Sequence, residues 1–466
     1  MTNQTFKPRK IMGVFGLVMI NVIAVDSLRS LPATAQYGFS VVFYYAIATL
    51  MFFIPTALIA GELATAWPKT GGIYVWAKEA FGKNIAFILV CLQWIYNVCW
   101  YPTILSLMMA TLAYAFKPAL AHNSLYMFFS ISAAFWLIAV INCFGLKISN
   151  YLTTFSSVFG VIIPIGVVII LGVIWLASGH NSEVVFTRTS FFPDLTNLNN
   201  LAFLTSVLFS LMGMEMSATH AQEVRNPQRD YPRALLISSV IILASFVFAS
   251  LAIAVVVPHD KLNVVTGLLE AYQLFFAHFH ILWVMPLVAI LIVFGGAGGV
   301  GAWLLGPVKA LLAASQDGLL PKSFAKTNRH NVSQKLIMFQ GIVFMLLMSS
   351  FLFMPTVSAS FWLLGVLTSQ LSLIYYIGLF IVAVRLRYKY PMIERPFKVP
   401  GGKFGIWFLS VFGIIACIFT IMVGFLPPPG IVIGSILRFE LFLIIGIIVS
   451  CVLPYLIAKW YQRKQF

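Results

Sequence analysis

The sequence predicts an all-α membrane protein of twelve spanning helices, arranged as two five-helix repeats of opposite topology plus two further helices. Three observations carry that prediction. The 466-residue chain is 61% hydrophobic and only 9% charged, with a mean hydropathy of +0.97, far from a water-soluble domain. Apolar runs long enough to cross a bilayer recur along its whole length. Two of them, the first and the sixth, carry a carboxylate and helix-breaking residues at membrane depth.

Residues 11–24 begin the first helix, but ~14 residues rising ~1.5 Å each cover only about 21 Å of a ~30 Å hydrocarbon core. The stretch Val25-Asp26-Ser27-Leu28-Arg29-Ser30-Leu31-Pro32 follows. Irregular backbone at that depth is tolerated only inside protein or against a water-filled cavity, so the first helix reads as broken and cavity-lining. At such a break the upstream half ends in free carbonyls and the downstream half begins in free amides. One small site can therefore hold an ammonium and a carboxylate together, the two groups of an α-amino acid. Val25, Asp26, Ser27, Leu28 and Arg29 are candidate substrate-binding residues on this ground.

Gln36-Tyr37-Gly38 then turns the chain into a second helix over residues 39–65, ended by Trp67-Pro68 and the Gly71-Gly72 pair. A short amphipathic piece over 73–81 suits the membrane interface, and a third helix over 85–116 is long enough to tilt. The fourth and fifth helices cover 124–144 and 148–177, and a polar loop runs to residue 200. The sixth, 201–221, contains Gly213-Met214-Glu215 and again places a carboxylate near its middle. Six more follow over 232–257, 280–314, 336–353, 359–384, 404–425 and 436–458. Breaks at positions one and six predict one transporter domain with repeats over 11–177 and 201–384, and two extra helices over 404–458.

The basic excess, 29 Lys and Arg against 13 Asp and Glu, follows this topology. With the N-terminus inside, 23 of the 29 fall in inner segments, four in outer ones, and Arg29 and Lys309 within helices. The positive-inside rule then puts both termini in the cytoplasm of a cell with the protein in its inner (plasma) membrane. No soluble segment is long enough to bind nucleic acid, so the partners expected are the bilayer and a small solute, with the protein a monomer or homodimer. Lys7, Arg9 and Lys10 precede the first apolar run as in a signal peptide, but the segment is expected to be retained. The five cysteines lie in apolar runs without paired or metal-like spacing, and no metal or cofactor is expected.

Glu215 reads as a gating or pH-sensing group beside the second break, against the plainer reading of a hydrogen-bonded helix cap. Asp26 is open between a cap and a functional carboxylate. Arg29, three residues on, is expected to neutralise it, with an anion-binding role for the planar guanidinium as the alternative. Glu62, near the inner end of helix two, is either a solvated helix-end residue or part of an inner gate with a basic partner. The aromatics Tyr96, Trp100, Phe209 and Trp303 lie on helices that approach the site, although most aromatics in such a chain are core or lipid-facing; Tyr96 is grouped with the gating candidates. The run from Gly295 to Gly301 lacks the strand that a nucleotide loop requires, and its missing side chains instead permit close helix approach or cavity formation before Trp303.

Several loop motifs carry a resemblance. Glu215 with the run from Arg225 to Ala234, Pro68-x-x-Gly71-Gly72-x-Tyr74, Asp317-Gly318-x-Leu320-Pro321 and Arg395-Pro396-Phe397-Lys398-Val399-Pro400-Gly401 resemble signatures of the amino acid, polyamine and organocation superfamily. Arg29-Ser30-Leu31-Pro32, Glu62-Leu63-Ala64-Thr65 and Ser217-Ala218-Thr219-His220 look most like its glutamate:GABA antiporter branch. The resemblance implies a five-plus-five inverted-repeat fold, alternating access and exchange of amino acids. It implies substrate contact by backbone at Val25-Asp26-Ser27 and near Gly213 and Met214, with Phe209 and Trp303 at substrate-lining aromatic positions. Val25-Asp26-Ser27 departs from the Gly-Ser-Gly of many relatives, predicting a bulkier and more acidic site floor. Only residues 459–466 follow the last helix, so acid gating by a long inner plug is not expected.

Exchange is the main expectation, and a proton-coupled symporter of the same fold the alternative. A sodium site is disfavoured because Gly298-Gly299-Val300-Gly301-Ala302 offers no hydroxyl ligand. A lysine in helix five would favour proton symport, and residues 151–177 contain none. Neither a pore motif nor a set of catalytic side chains is present to support a channel or an enzyme.

Overall fold

In hydrocarbon every backbone polar group needs an internal partner, which leaves a spanning segment the choice of helix or closed barrel. A computed structural model describes residues 12–68, 71–143, 156, 158–194, 196–215, 224–328 and 332–463, and among them helices and turns account for the fold, with one parallel bridge between Met12 and Val224. Lys7, Arg9, Lys10, Lys69, Lys147, the start of the fifth segment and the motif Ser217-Ala218-Thr219-His220 with Glu223 lie outside the described residues.

Ten helices among the described residues are long and apolar enough to cross a membrane. The expected first and sixth segments are the ones with shorter helical stretches, α1 (Val14–Val25), α2 (Leu31–Ala35) and, further on, Leu198–Ser210. α3 (Gly38–Ala66) includes a π-helical turn at Thr49–Phe53, just before Pro55, which has no N–H to give to the preceding turn. The amphipathic α4 (Ile73–Phe81) leads through Gly82 into α5 (Lys83–Phe116), then α6 (Ser124–Cys143) and α7 (Val158–Ala177).

The second half continues with α8 (Leu204–Ser210), α9 (Pro227–Val256), α10 (Gly267–His278), α11 (Met285–Gln316), α12 (Gln334–Met348), α13 (Val357–Lys389), α14 (Gly402–Val423) and α15 (Ile436–Arg463). α10 was not among the expected elements. It is short and amphipathic, so it does not register as a span, yet it buries Leu268, Leu269, Tyr272 and Phe275 and stacks Gly267 against Pro32 beyond the first interruption.

α5 and α13 are the most enclosed spans; they pack against each other, α5 also against α11 and α13 also against α14. α15 is peripheral and carries exposed Leu441, Ile445, Ile448 and Leu453, a surface that requires a hydrocarbon solvent. The glycine run of α11 acts as its composition predicts. A Cβ on Gly160 would fall 2.3 Å from Gly295 Cα, so α7 and α11 meet backbone to backbone.

Candidate functional site

α1 ends at Val25, where the Asp26 N–H closes the last turn onto the Val22 carbonyl at 2.8 Å. Asp26 (φ −63°, ψ 123°) and Ser27 (φ −143°, ψ 125°) are extended, and a 3-10 turn over Leu28–Ser30 leads into α2, with Pro32 in its first turn. In the sixth segment α8 ends at Ser210, and Gly213 takes a φ of +119° that only glycine adopts without strain. A Cβ there would lie 2.9 Å from the Ala24 carbonyl oxygen and 3.5 Å from Trp303 Cζ2. The two irregular stretches therefore touch, with Trp303 beside them.

The charges around this contact are buried and unequally partnered. Asp26 accepts from the Ser245 hydroxyl of α9 at 2.9 and 3.1 Å. Arg29 does not pair with it, contrary to the expectation. With Asp26 and Ser27 extended, residues three apart no longer share a helix face, and the guanidinium lies 4.4 Å from the Phe209 ring centroid and 5.8 Å from that of Phe361. Arg29 is 4% exposed, and its Nε has no hydrogen-bond partner.

Glu215 is held by α13. The Tyr376 hydroxyl donates to Glu215 Oε2 at 2.6 Å and accepts from the Gly213 N–H at 3.0 Å, while Oε1 has no partner. The Tyr96 ring is 5.6 Å from Tyr375, which is itself 5.2 Å from Tyr376, so the Tyr96 candidate belongs to this aromatic wall. Val25, Leu28 and Met214 are buried apolar residues, and the polar groups they could offer a solute are those of their backbone.

A cavity of about 50 Å³ joins Asp26, Ser27 and Leu28 to Trp100, Trp303 and the glycine face of α11. Val25, Arg29, Phe209, Gly213, Met214 and Glu215 do not line it. Small-molecule pockets span roughly 300–1,000 Å³, so the compartment must widen before it holds an amino acid. Trp303 is half-buried, 6.2 Å from the Trp100 ring, and its carbonyl accepts from Tyr101 at 3.2 Å.

Glu62 is a buried ion-pair centre rather than a solvated helix end. Arg387 of α13 donates to Oε2, the Val399 N–H reaches the same oxygen at 2.8 Å, and Arg395 Nε approaches Oε1 at 3.1 Å. At the same end of the bundle Asp317, just past α11, accepts from Tyr74 at 2.6 Å and Lys78 at 2.5 Å of α4. Partial burial raises its carboxyl, but the bonds from Lys78 and Tyr74 and the charges of Lys78 and Lys83 outweigh that and hold it below the usual aspartate range.

Sequence reasoning missed Ser245, Phe361 and Tyr376. Each is a common residue inside an apolar run, and only the three-dimensional packing of α9 and α13 against the interruptions singles it out. Glu62's need for a basic partner was legible, and Arg395 stood in a recognised motif, but Arg387 was one of several arginines at a helix end.

Buried ionisable groups and irregular backbone among helices fit to span a bilayer belong here to a membrane permease and not to an enzyme. The chain belongs to the amino acid permease family, whose model matches residues 12–450. It is 46% identical over 456 residues to an uncharacterized transporter of Legionella pneumophila, covering 98% of each chain. It is 28% identical over 462 residues to the glutamate/gamma-aminobutyrate antiporter of Lactococcus lactis strain IL1403, covering 98% of this chain and 92% of the relative. A probable agmatine/putrescine antiporter of the same strain is 26% identical over 401 residues, with 83% and 82% covered.

Proposed function

We propose that this permease is an amino-acid antiporter of the inner (plasma) membrane, working by alternating access and exchanging glutamate or another amino acid for GABA or a related amino acid or amine. The single observation that carries the reading is the contact between the two irregular stretches, where Gly213 leaves no room for a side chain beneath the Ala24 carbonyl. Ends of interrupted helices offer carbonyls to an ammonium and amides to a carboxylate within one small volume. In this reading the chain has twelve spans, with repeats over residues 11–177 and 201–384 related by inversion and both termini cytoplasmic. Two of the relatives are named as glutamate/gamma-aminobutyrate antiporters, and exchange of that kind is what one shared site would perform.

Counterflow in proteoliposomes tests it. Vesicles loaded with unlabelled amino acid should take up external labelled amino acid or amine, and empty vesicles should take up little. Uptake into empty vesicles that follows an imposed proton gradient would replace exchange with symport.

A further inference from the structure

Burying a guanidinium without an anion is costly, and chains of this kind bury arginine with a carboxylate or phosphate beside it. Arg29 departs from that rule. It is 4% exposed, its Nε is unsatisfied, and among the described residues no carboxylate pairs with it. Asp26, the acid nearest in sequence, is turned to Ser245, and Glu215 is turned to Tyr376. Phe209 and Phe361 flank the guanidinium, and a Cβ built on Gly365 would stand 3.5 Å from Nη1, so α13 presents a residue without a side chain where that nitrogen points.

We propose that Arg29 receives the side-chain carboxylate of the transported substrate, which makes this a carrier for solutes that keep an anionic side chain. The inference rests on the exchange reading and narrows it. Arg29 follows the extended pair Asp26-Ser27 by two residues and stacks on Phe209, four residues before Gly213; it lies outside the 50 Å³ cavity, so the widening that admits a substrate must also reach its guanidinium. A glutamate would place its α-groups at the interruptions and its γ-carboxylate on Arg29. Decarboxylation removes the α-carboxylate and leaves the γ-carboxylate, so Arg29 would grip the one anionic group common to the acid and its product. Cationic diamines lack that group and would meet a buried positive charge instead. The flat fork of donors between two rings suits a planar carboxylate better than a lysine ammonium would.

Equilibrium binding to the purified protein tests this directly, with glutamate against its neutral isostere glutamine as probes. Wild-type protein should prefer glutamate, and Arg29→Gln should lower the glutamate-to-glutamine affinity ratio by roughly ten- to a hundredfold, the loss expected of a charge-assisted pair. Arg29→Lys should keep part of the preference. A purely structural role would weaken both probes together and leave the ratio alone, and that result would overturn the proposal. If Arg29→Gln fails to insert, the Arg29→Lys ratio decides it, an unchanged ratio counting against. Wild-type protein that binds and exchanges neutral amino acids or diamines but not glutamate refutes the Arg29 assignment and leaves the exchange reading standing. Absence of counterflow with any amino acid or amine refutes the exchange reading, while the binding ratio still judges Arg29.

Discussion

Replacing Glu62 by glutamine removes one negative charge from a cluster in which it faces two arginines. Both Arg387 and Arg395 side chains are 5% exposed and Glu62 is 3% exposed, so solvent does not screen the change. Oε2 serves Arg387 and the Val399 N–H together, and Oε1 faces Arg395. An amide keeps a single acceptor oxygen and turns an NH₂ toward one guanidinium, leaving two like charges without a counter-ion. Removing one partner of a buried pair costs about 3–5 kcal/mol. Because these bonds join the end of α3, the end of α13 and the 395–399 loop, the loss should appear as global destabilisation. Thermal unfolding of the purified protein in detergent should show a midpoint several degrees lower for Glu62→Gln. A double-mutant cycle with Arg387→Met should recover part of the loss, since an uncompensated charge is removed with its partner. A Glu62→Gln midpoint equal to wild type, or a cycle with no coupling, would refute the reasoning and return Glu62 to a gating role that stability does not report.

Tyr376→Phe deletes the hydroxyl that ties Gly213 N–H to Glu215, and a buried donor left unsatisfied costs about 1–3 kcal/mol. Initial counterflow rates per correctly inserted molecule should fall roughly tenfold, an energy of about 1.4 kcal/mol, and wild-type rates would show the bridge to be dispensable. The Asp317 carboxyl is held below its ordinary 3.8, so its tie to Tyr74 and Lys78 is fully formed above that value and is lost only as pH falls through a lower one. The stability difference between wild type and Asp317→Asn should therefore stay constant from about pH 7 to about pH 5; a difference that shrinks within that window would contradict the assignment.

Much of the helical layout was legible because hydropathy needs only composition and length. The chain turns at Gln36-Tyr37-Gly38, the helix end at Trp67 and the piece at Ile73–Phe81 coincide with local signals, a polar triplet, a proline and an amphipathic period. α10 was illegible because twelve amphipathic residues between two spans look like a loop to a span-length criterion. The Asp26–Arg29 pairing failed for a more instructive reason. It borrowed the i, i+3 geometry of a helix at the one place where the chain had been predicted not to be helical. Backbone breaks can be read from sequence, but where the flanking side chains then point cannot, because that depends on α9 and α13, more than two hundred residues away.

Four of the buried charges among the described residues, Asp26, Arg29, Glu62 and Glu215, differ less in depth than in how completely each is satisfied, and the proposed site rests on that difference. Glu62 accepts from Arg387 and the Val399 N–H on Oε2 and has the charge of Arg395 at 3.1 Å from Oε1, so two cations balance it. Asp26 has one hydroxyl, Glu215 has one hydroxyl and an idle oxygen, and Arg29 has aromatic faces alone. An under-satisfied buried charge persists only if something completes it during the working cycle, because the folded chain otherwise bears its desolvation without return. All three incomplete groups lie at or beside the interruptions, and the complete one lies at the end of α3. In the proposed reading, a substrate bringing its own ammonium and carboxylates would supply the complementary charges and draw its binding free energy from these incompletely satisfied groups. The proposed exchange follows the same logic: a bundle that changes state most readily when its charges are completed would need the departing solute replaced by another that completes them.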